Sequence, residues 1–420
     1  MLNLDEYRAA FDEVRVDFEE AVAAFGLPFE RGEGQPRSDR ARAVCQHRDN
    51  GCASLWSGWI SPACIACRTG EETATFFVSL KCTRRCYFCF NENQEDYAYY
   101  RTHERDIVSE LKAAHASGAR FRHLAVTGGE PCLHPEALLA FVRCAKELYP
   151  GVHVRVYTSG DLLHDGLLDE LRCAGLDEIR FSVKPEEGAS DRETTFGRIA
   201  AAVDRIPDVM VEMPIIPDTL DDMKELLKHL DRLGVRGINL LEFCFPLSNA
   251  SAFEARGFKL RRNPYVIPYN YWYAGGLPIS GSETACLELL RFASDEGLGM
   301  GVHYCSLDNK LSGQIYQQNK PFLLDSAFAA SHAWLSFDEA DYFLKCAKVF
   351  GDDAEAVRAR VADLRCLADE DDGSLAFPLA SAPLVAERIP SAEIGVSFNV
   401  LEPDENCLPH VREVALERLR

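Results

Sequence analysis

Cysteine is the residue type whose number and spacing most clearly indicate chemistry in this chain. The 420 residues include 16 cysteines, and seven of these lie between positions 45 and 89. Cys82, Cys86 and Cys89 are separated by three and then two residues, so one short loop can present three thiolates. Four thiolates saturate an iron–sulfur cube, whereas three leave one iron open to another ligand. The alternative is a zinc knuckle that takes its fourth ligand from elsewhere.

The second predicted strand, residues 123–126, is followed by a glycine-rich turn. This turn consists of Gly128, Gly129, Glu130 and Pro131. Two glycines let a backbone approach a ligand closely, and the neighbouring carboxylate can face a cation. Together with the cysteine spacing, this motif resembles the radical S-adenosylmethionine (SAM) superfamily. The resemblance implies that the glycine-rich turn binds the amino group of SAM.

The same resemblance assigns further residues to SAM at later strand ends. They are polar residues after the third and fourth predicted strands, an apolar residue after the fifth, and an aromatic residue beside the third cysteine. In this sequence they are Thr158, Ser159, Ser182, Lys184, Ile216 and Phe88. Each of them alone also fits an ordinary strand or turn. The resemblance covers roughly residues 73–245.

The resemblance also implies a reaction and its cofactors. A reduced [4Fe–4S] cluster on Cys82, Cys86 and Cys89 would chelate SAM through its open iron and pass it one electron. Cleavage of SAM would then produce a 5′-deoxyadenosyl radical that takes a hydrogen atom from the substrate. An electron donor such as flavodoxin or ferredoxin is the implied partner.

Four more cysteines lie upstream, and the sequence leaves their metal open. Cys45, Cys52, Cys64 and Cys67 are separated by six, eleven and two residues, of which the last spacing is the most specific. Four thiolates suit a structural zinc, a mononuclear iron or an auxiliary iron–sulfur cluster. The same four residues could also bind no metal. We predict a second metal site of undecided type.

The elements that must position these residues alternate between strand and helix. From residue 73 onward, six strand-like segments are separated by helical segments, with a period of about 25–30 residues. This alternation implies a parallel sheet with right-handed crossovers. Six units in series favour an α/β fold, a partial (β/α)6 TIM-like barrel, over a doubly wound sheet. A helix and a strand over 282–304 would add a seventh unit.

Four segments are predicted along the chain. Residues 1–72 would hold a helix and a cysteine-rich metal-binding segment, and 73–245 the radical SAM core. Residues 246–330 would extend the barrel and cover the substrate, and 331–420 would form a small α+β appendage. Cys305 ends the seventh strand, so it either packs in the core or acts as a catalytic thiol.

Composition disfavours two kinds of partner. With 45 Lys+Arg and 66 Asp+Glu, the formal net charge of −21 disfavours a nucleic acid. No stretch approaches the roughly 20 apolar residues that span a bilayer. The first residues also lack the basic and apolar regions of a secretory signal. We therefore expect a cytoplasmic chain, in which clustered thiols favour metal binding over disulfides.

The leading hypothesis from the sequence is a radical SAM enzyme that abstracts hydrogen from an unidentified protein, peptide or small metabolite. Asn91 forms a Cys-x-Asn pattern with Cys89 that resembles activases of glycyl-radical enzymes. The alternative is a non-catalytic iron–sulfur or zinc protein that binds a partner.

Metal analysis of the reconstituted chain tests the upstream site. One cluster supplies about four iron atoms, two clusters supply about eight, and a structural zinc adds about one zinc. We expect a second metal that the double variant Cys64→Ala, Cys67→Ala loses while about four iron atoms remain. The control is the double variant Cys366→Ala, Cys407→Ala. Metal content that is equal in both variants would contradict the prediction.

Overall fold

The computed structural model describes residues 3–30, 47–49, 54–183, 189–262, 265, 267, 269, 276–361, 364–368 and 372–419. The chain divides into two units. The larger unit comprises Phe25–Pro264 and Tyr271–Lys310. The smaller unit comprises Met1–Ala24, Tyr265–Asn270 and Leu311–Arg420.

A nine-stranded sheet forms the centre of the larger unit. The strands of this unit are β1 (His47–Asp49), β2 (Ser54–Ser57), β3 (Thr73–Phe77), β4 (His123–Thr127), β5 (His153–Thr158), β6 (Glu178–Phe181), β7 (Asp208–Ile215), β8 (Gly237–Glu242), β9 (Cys244–Phe245), β10 (Leu277–Pro278) and β11 (Gly301–Cys305). The order across the sheet is β1-β2-β11-β8-β7-β6-β5-β4-β3, and β9 pairs with β10 separately. Strands β3 to β8 and β11 are parallel, and β2 runs antiparallel to β11.

Helices alternate with these strands. In chain order they are α1 (Leu4–Ala23), which belongs to the smaller unit, α2 (Pro62–Cys67), α3 (Tyr97–Tyr100), α4 (Ile107–Ala116), α5 (Pro135–Leu148), α6 (Asp165–Ala174), α7 (Ala189–Val203), α8 (Leu220–Arg232), α9 (Ala250–Glu254) and α10 (Ser282–Asp295). Capping residues mark where several of these helices begin or end. Asp106 accepts a hydrogen bond from the Ser109 N–H at the start of α4, and Gly175, with φ of 91°, ends α6.

The two faces of the sheet differ in polarity. Successive residues of a strand point to opposite faces. One face packs its apolar side chains with those of the helices in a single core, for example Val154, Val156, Ile179, Phe181 and Val211. The other face carries buried polar side chains, among them Arg155, Glu178, Arg180, Asn239 and His303. Helix α2 covers part of this polar face, since Ser61 and Cys64 contact it.

The structure contains the alternation of strands and helices that the sequence predicts. The six predicted strands correspond to β3–β8, and α10 with β11 forms a seventh unit. The result is a mixed α/β fold that is consistent with a partial TIM-like barrel. Strand β2, which lies before the predicted boundary at residue 72, pairs with β11 in the same sheet. Local spacing could not indicate this pairing, since β11 lies far along the chain.

The smaller unit contains an antiparallel sheet. Its further strands are β12 (Ser336–Phe337), β13 (Leu344–Phe350), β14 (Leu367–Ala368), β15 (Ser374–Phe377), β16 (Gly395–Pro403) and β17 (Pro409–Arg418), and its helices include α11 (Leu307–Leu324), which begins in the larger unit, α12 (Ser326–Ser331), α13 (Gly351–Arg360) and α14 (Ala382–Arg388). The sheet order is β14-β15-β13-β16-β17, with β12 beside β13. Across the described residues of both units, no helix combines the length and the apolar character that crossing a membrane requires.

Gly301 permits a close backbone approach at the start of β11. A Cβ atom at this position would lie 1.9 Å from the Trp59 carbonyl oxygen. We expect Gly301→Ala to lower the free energy of unfolding by about 1–3 kcal/mol, because the backbone must shift to admit the methyl group. Denaturant unfolding measures this change.

Gly197→Ala provides the matched control, since no atom outside its own helix lies within 4 Å of its Cβ position. Alanine in helix α7 should leave stability unchanged or slightly raised. A Gly301→Ala variant that unfolds like the wild type would contradict the expected clash.

Candidate metal centre

Cys82, Cys86 and Cys89 lie on the loop that leaves the carboxyl end of β3. Cys82 is exposed and the other two are half-buried. The Cys89 N–H donates to the Cys86 carbonyl at 3.1 Å, and the Arg84 N–H donates to the Cys82 sulfur at 3.4 Å. Burial raises the pKa of Cys89, as do the charges of Cys86 and Cys82. The three sulfurs therefore share one local environment, as ligands of one metal centre must.

The number of thiolates on the loop bears on the kind of metal centre. Three thiolates suit an iron–sulfur cube in which one iron stays open to another ligand. A zinc ion on the same loop would need its fourth ligand from elsewhere.

The glycine-rich turn after β4 packs against the entrance of the cysteine loop. The Gly129 N–H donates to the Ser79 carbonyl at 3.1 Å, and the Glu130 N–H donates to the Lys81 carbonyl at 2.8 Å. A Cβ atom on Gly129 would lie 1.8 Å from the Lys81 oxygen. Only glycine allows this approach, so Gly129 sets the position of the residue that precedes Cys82.

Asn91 connects the exit of the cysteine loop to the same turn. Its side-chain amide donates to the Gly128 carbonyl at 2.6 Å. Its own amide oxygen accepts a hydrogen bond from Gln94 at 3.1 Å. The asparagine of the Cys-x-Asn pattern therefore has a local structural role, and both ends of the loop are held by the turn after β4.

The buried carboxylate of Glu130 joins the turns after β4 and β5. It is 2% exposed and accepts four hydrogen bonds, two at each oxygen. The donors are the Cys132 N–H at 3.0 Å, the Thr158 hydroxyl at 2.8 Å, and the N–H and hydroxyl of Ser159, both at 2.7 Å. The structure brings together three residues that the sequence assigns to SAM, but it bonds them to one another. Their contact with SAM stays a prediction.

Asp161, which the sequence reasoning missed, links the turn after β5 to the cysteine loop. Its Oδ2 accepts hydrogen bonds from Arg84 Nε at 2.8 Å and from the Thr83 hydroxyl at 2.9 Å. The hydrogen bond from Arg84 lowers the pKa of Asp161, so the carboxyl group is ionised. Thr83 and Arg84 belong to the spacer between Cys82 and Cys86, which is thus bound to β5. The position of Asp161 directly after the polar turn of β5 is the signal that could have indicated it.

Aromatic residues hold the other side of the cysteine loop. Phe88 packs edge-on against Phe243, which directly follows β8, at 5.7 Å between ring centres. Tyr87 contacts Phe253 at 5.2 Å, and the Arg256 guanidinium lies 4.0 Å from the centre of the Tyr87 ring. The aromatic residue beside the third cysteine therefore anchors the loop to the carboxyl end of β8.

The remaining predicted SAM contacts follow β6 and β7. Ser182 is half-buried, and its N–H donates to the Thr158 carbonyl at 3.1 Å. Ile216 is buried, and its carbonyl accepts from the Thr219 hydroxyl at 2.8 Å. Both residues lie at the same end of the sheet as the cysteine loop. Lys184, predicted after β6, lies outside the described residues, as do Cys45 and Cys52.

Cys64 and Cys67 lie on α2 in different environments. Cys64 is buried against the polar face, where its sulfur accepts hydrogen bonds from Arg180 at 3.3 Å and from Asn239 at 3.2 Å. Burial raises the pKa of Cys64, and the Arg180 charge opposes this shift. Cys67 is exposed. A metal on these cysteines stays a prediction.

Cys305 lies at the carboxyl end of β11, on the sheet edge predicted for it. The Asn309 amide donates to its sulfur at 3.2 Å. Burial raises the pKa of Cys305 to about 12, so the sulfur stays protonated near neutral pH. A thiol that stays protonated is a poor nucleophile. Any catalytic role of Cys305 would therefore use its S–H group rather than a thiolate. That role stays a prediction.

Glu130→Gln tests the connection between the two turns. The Cys132 N–H bonds one carboxylate oxygen and the Ser159 N–H bonds the other, so either orientation of the glutamine amide faces an N–H donor. We expect a loss of about 1–3 kcal/mol in the free energy of unfolding, together with a lower iron content. Glu136→Gln, at an exposed position of α5, is the control. Iron content and stability equal to those of the control would refute this role.

The comparison with known families matches the part of the chain that contains the cysteine loop. Residues 77–230 match the family described as the Radical SAM superfamily. The match includes the cysteine loop and the turns after β4 and β5. It confirms the family resemblance that the sequence motifs carry.

Similar proteins have several different names. The chain is 24% identical over 254 residues to a Methanocaldococcus jannaschii protein provisionally named a glycyl-radical enzyme activating enzyme, covering 58% of this chain and 62% of that protein. It is 33% identical over 180 residues to the GTP 3′,8-cyclase of Chlorobaculum tepidum, covering 40% of this chain and 52% of the cyclase. The chain therefore spans only about half to three-fifths of the length of these relatives.

Solved structures are more distant. The crystal structure of Streptococcus suis SuiB has 10% sequence identity and a TM-score of 0.39, covering 56% of this chain and 49% of SuiB.

Proposed function

Because residues 77–230 match the Radical SAM superfamily, we propose that the chain is a radical SAM enzyme. The observation that carries the proposal is the loop of Cys82, Cys86 and Cys89, which hydrogen bonds attach to the turns after both β4 and β5. When bound on these thiolates, a [4Fe–4S] cluster supplies the electron that cleaves SAM and starts hydrogen abstraction from a substrate.

The residues around the loop would orient the cluster rather than take part in bond cleavage. Cys82, Cys86 and Cys89 would hold the cluster with three thiolates, which would leave one iron open to SAM. Asp161 fixes the spacer between the first two cysteines, and the close approach at Gly129 fixes the entrance of the loop. Because these contacts are made by the chain's own residues, they would restrict the thiolates before binding, which reduces the ordering cost of binding.

The support for a particular substrate class is less direct than the support for radical SAM chemistry. The M. jannaschii relative's provisional name and the Cys-x-Asn pattern support activation of a partner enzyme. In this structure, however, Asn91 is already used to bond Gly128, so the pattern does not require a partner. The GTP 3′,8-cyclase of C. tepidum is an equally relevant small-molecule precedent. The proposed substrate is therefore a protein, a peptide or a small metabolite.

Anaerobic incubation with SAM and dithionite tests the proposed activity. We expect 5′-deoxyadenosine from the reconstituted chain and only background from the triple variant Cys82→Ala, Cys86→Ala, Cys89→Ala, because no cluster can be held. Cys173→Ala, Cys366→Ala, Cys407→Ala is a matched triple control, since all three residues are exposed and lie outside the loop. Failure of a fully loaded cluster to cleave SAM would favour a non-catalytic iron–sulfur protein instead.

A further inference from the structure

A histidine and two carboxylates lie together at the amino-terminal edge of the sheet, at the opposite end from the cysteine loop. His153 begins β5, Glu178 begins β6 and Asp208 begins β7. Glu178 pairs in register with Asp208 on one side and with Arg155 on the other. Since His153 lies two residues before Arg155, all three side chains share one face. Their ligand atoms lie within 4.8 Å of one another.

The imidazole of His153 has unused hydrogen-bonding capacity. Both of its ring nitrogens are buried without a hydrogen-bond partner, and so is Nδ1 of His123 at the start of β4. Buried polar atoms in folded proteins almost always have a partner. A ring nitrogen of neutral imidazole that lacks a hydrogen-bond partner can present its lone pair to a metal ion.

Glu178 presents one carboxylate oxygen toward this imidazole. It is fully buried, and its Oε2 lies 3.6 Å from Nε2 of His153. Arg180 bonds the other oxygen, Oε1, while the Ser61 hydroxyl donates to Oε2. A carboxylate oxygen has two lone-pair sites, so Oε2 retains capacity on the side of His153.

Asp208 adds a second carboxylate to the same small volume. The Arg236 Nε lies 3.7 Å from its Oδ1. Two neighbouring carboxylates repel each other at short distance, and a shared cation removes this cost.

We propose that His153, Glu178 and Asp208 bind one zinc ion at the amino-terminal edge of the sheet. Nitrogen and carboxylate oxygen are ligands that zinc accepts in tetrahedral sites. The His123 ring lies beside the site, 5.5 Å from that of His153 between ring centres. The ion would connect the first residues of β5, β6 and β7. It is independent of the iron–sulfur cluster, whose thiolates lie at the other end of these strands.

Zinc content and thermal unfolding of the reconstituted full chain test this site. We expect the wild type to hold about one more zinc per chain than Asp208→Asn or His153→Gln. Added zinc should raise the unfolding temperature of the wild type but of neither variant. Asp204→Asn, at an exposed position four residues earlier, is the control and should behave as the wild type. Equal zinc content in all four proteins would overturn the proposal.

X-ray absorption at the zinc edge separates this site from zinc on the upstream cysteines. The proposed site predicts nitrogen and oxygen neighbours at about 2.0–2.2 Å that disappear in the Asp208→Asn variant. Zinc surrounded only by sulfur, at about 2.3 Å, would overturn it. SAM cleavage by both variants serves as the check of their fold, because neither residue is near the cysteine loop. If Asp208→Asn does not fold, the zinc content of His153→Gln decides.

Discussion

The carboxylate of Glu130 is the interaction on which the arrangement of the metal centre most depends. The turns after β4 and β5 leave separate strands, and the polar contacts of Glu130 fix their relative positions. Glu130 accepts four hydrogen bonds in a buried setting, where bonds to a charged group are stronger than those between neutral groups. It thereby joins the turns after β4 and β5. These turns in turn hold the cysteine loop through the backbone at Gly129 and the carboxylate of Asp161.

The two faces of the sheet differ in what they contribute, since one packs in the hydrophobic core and the other carries ionisable groups. Its apolar face packs with the surrounding helices and supplies the main hydrophobic contribution of the larger unit. Its polar face contains buried charges that remain tolerable because they are paired, as Arg180 is with Glu178 and Glu212. Removing one member of such a set would leave its partner charged and buried. This constraint explains why the polar face can be lined with ionisable groups without losing the fold.

The two edges of the sheet also differ in the metal chemistry that they favour. The carboxyl edge presents thiolates, which are soft ligands suited to iron–sulfur clusters. The amino edge presents imidazole and carboxylate groups, which are harder ligands. Ligand type therefore favours different metals at the two edges, and the length of the strands keeps them apart.

The sequence by itself determined the cysteine triplet, the glycine-rich turn and the alternation of strands and helices. These features depend on spacing along the chain, which sequence records directly. Only the tertiary structure decided that Asp161 binds Arg84, that β2 pairs with β11, and that His153 lies beside Asp208. Each of these contacts joins residues from different strands or loops. Strand register and backbone approach determine such contacts, and neither can be read from residue spacing alone.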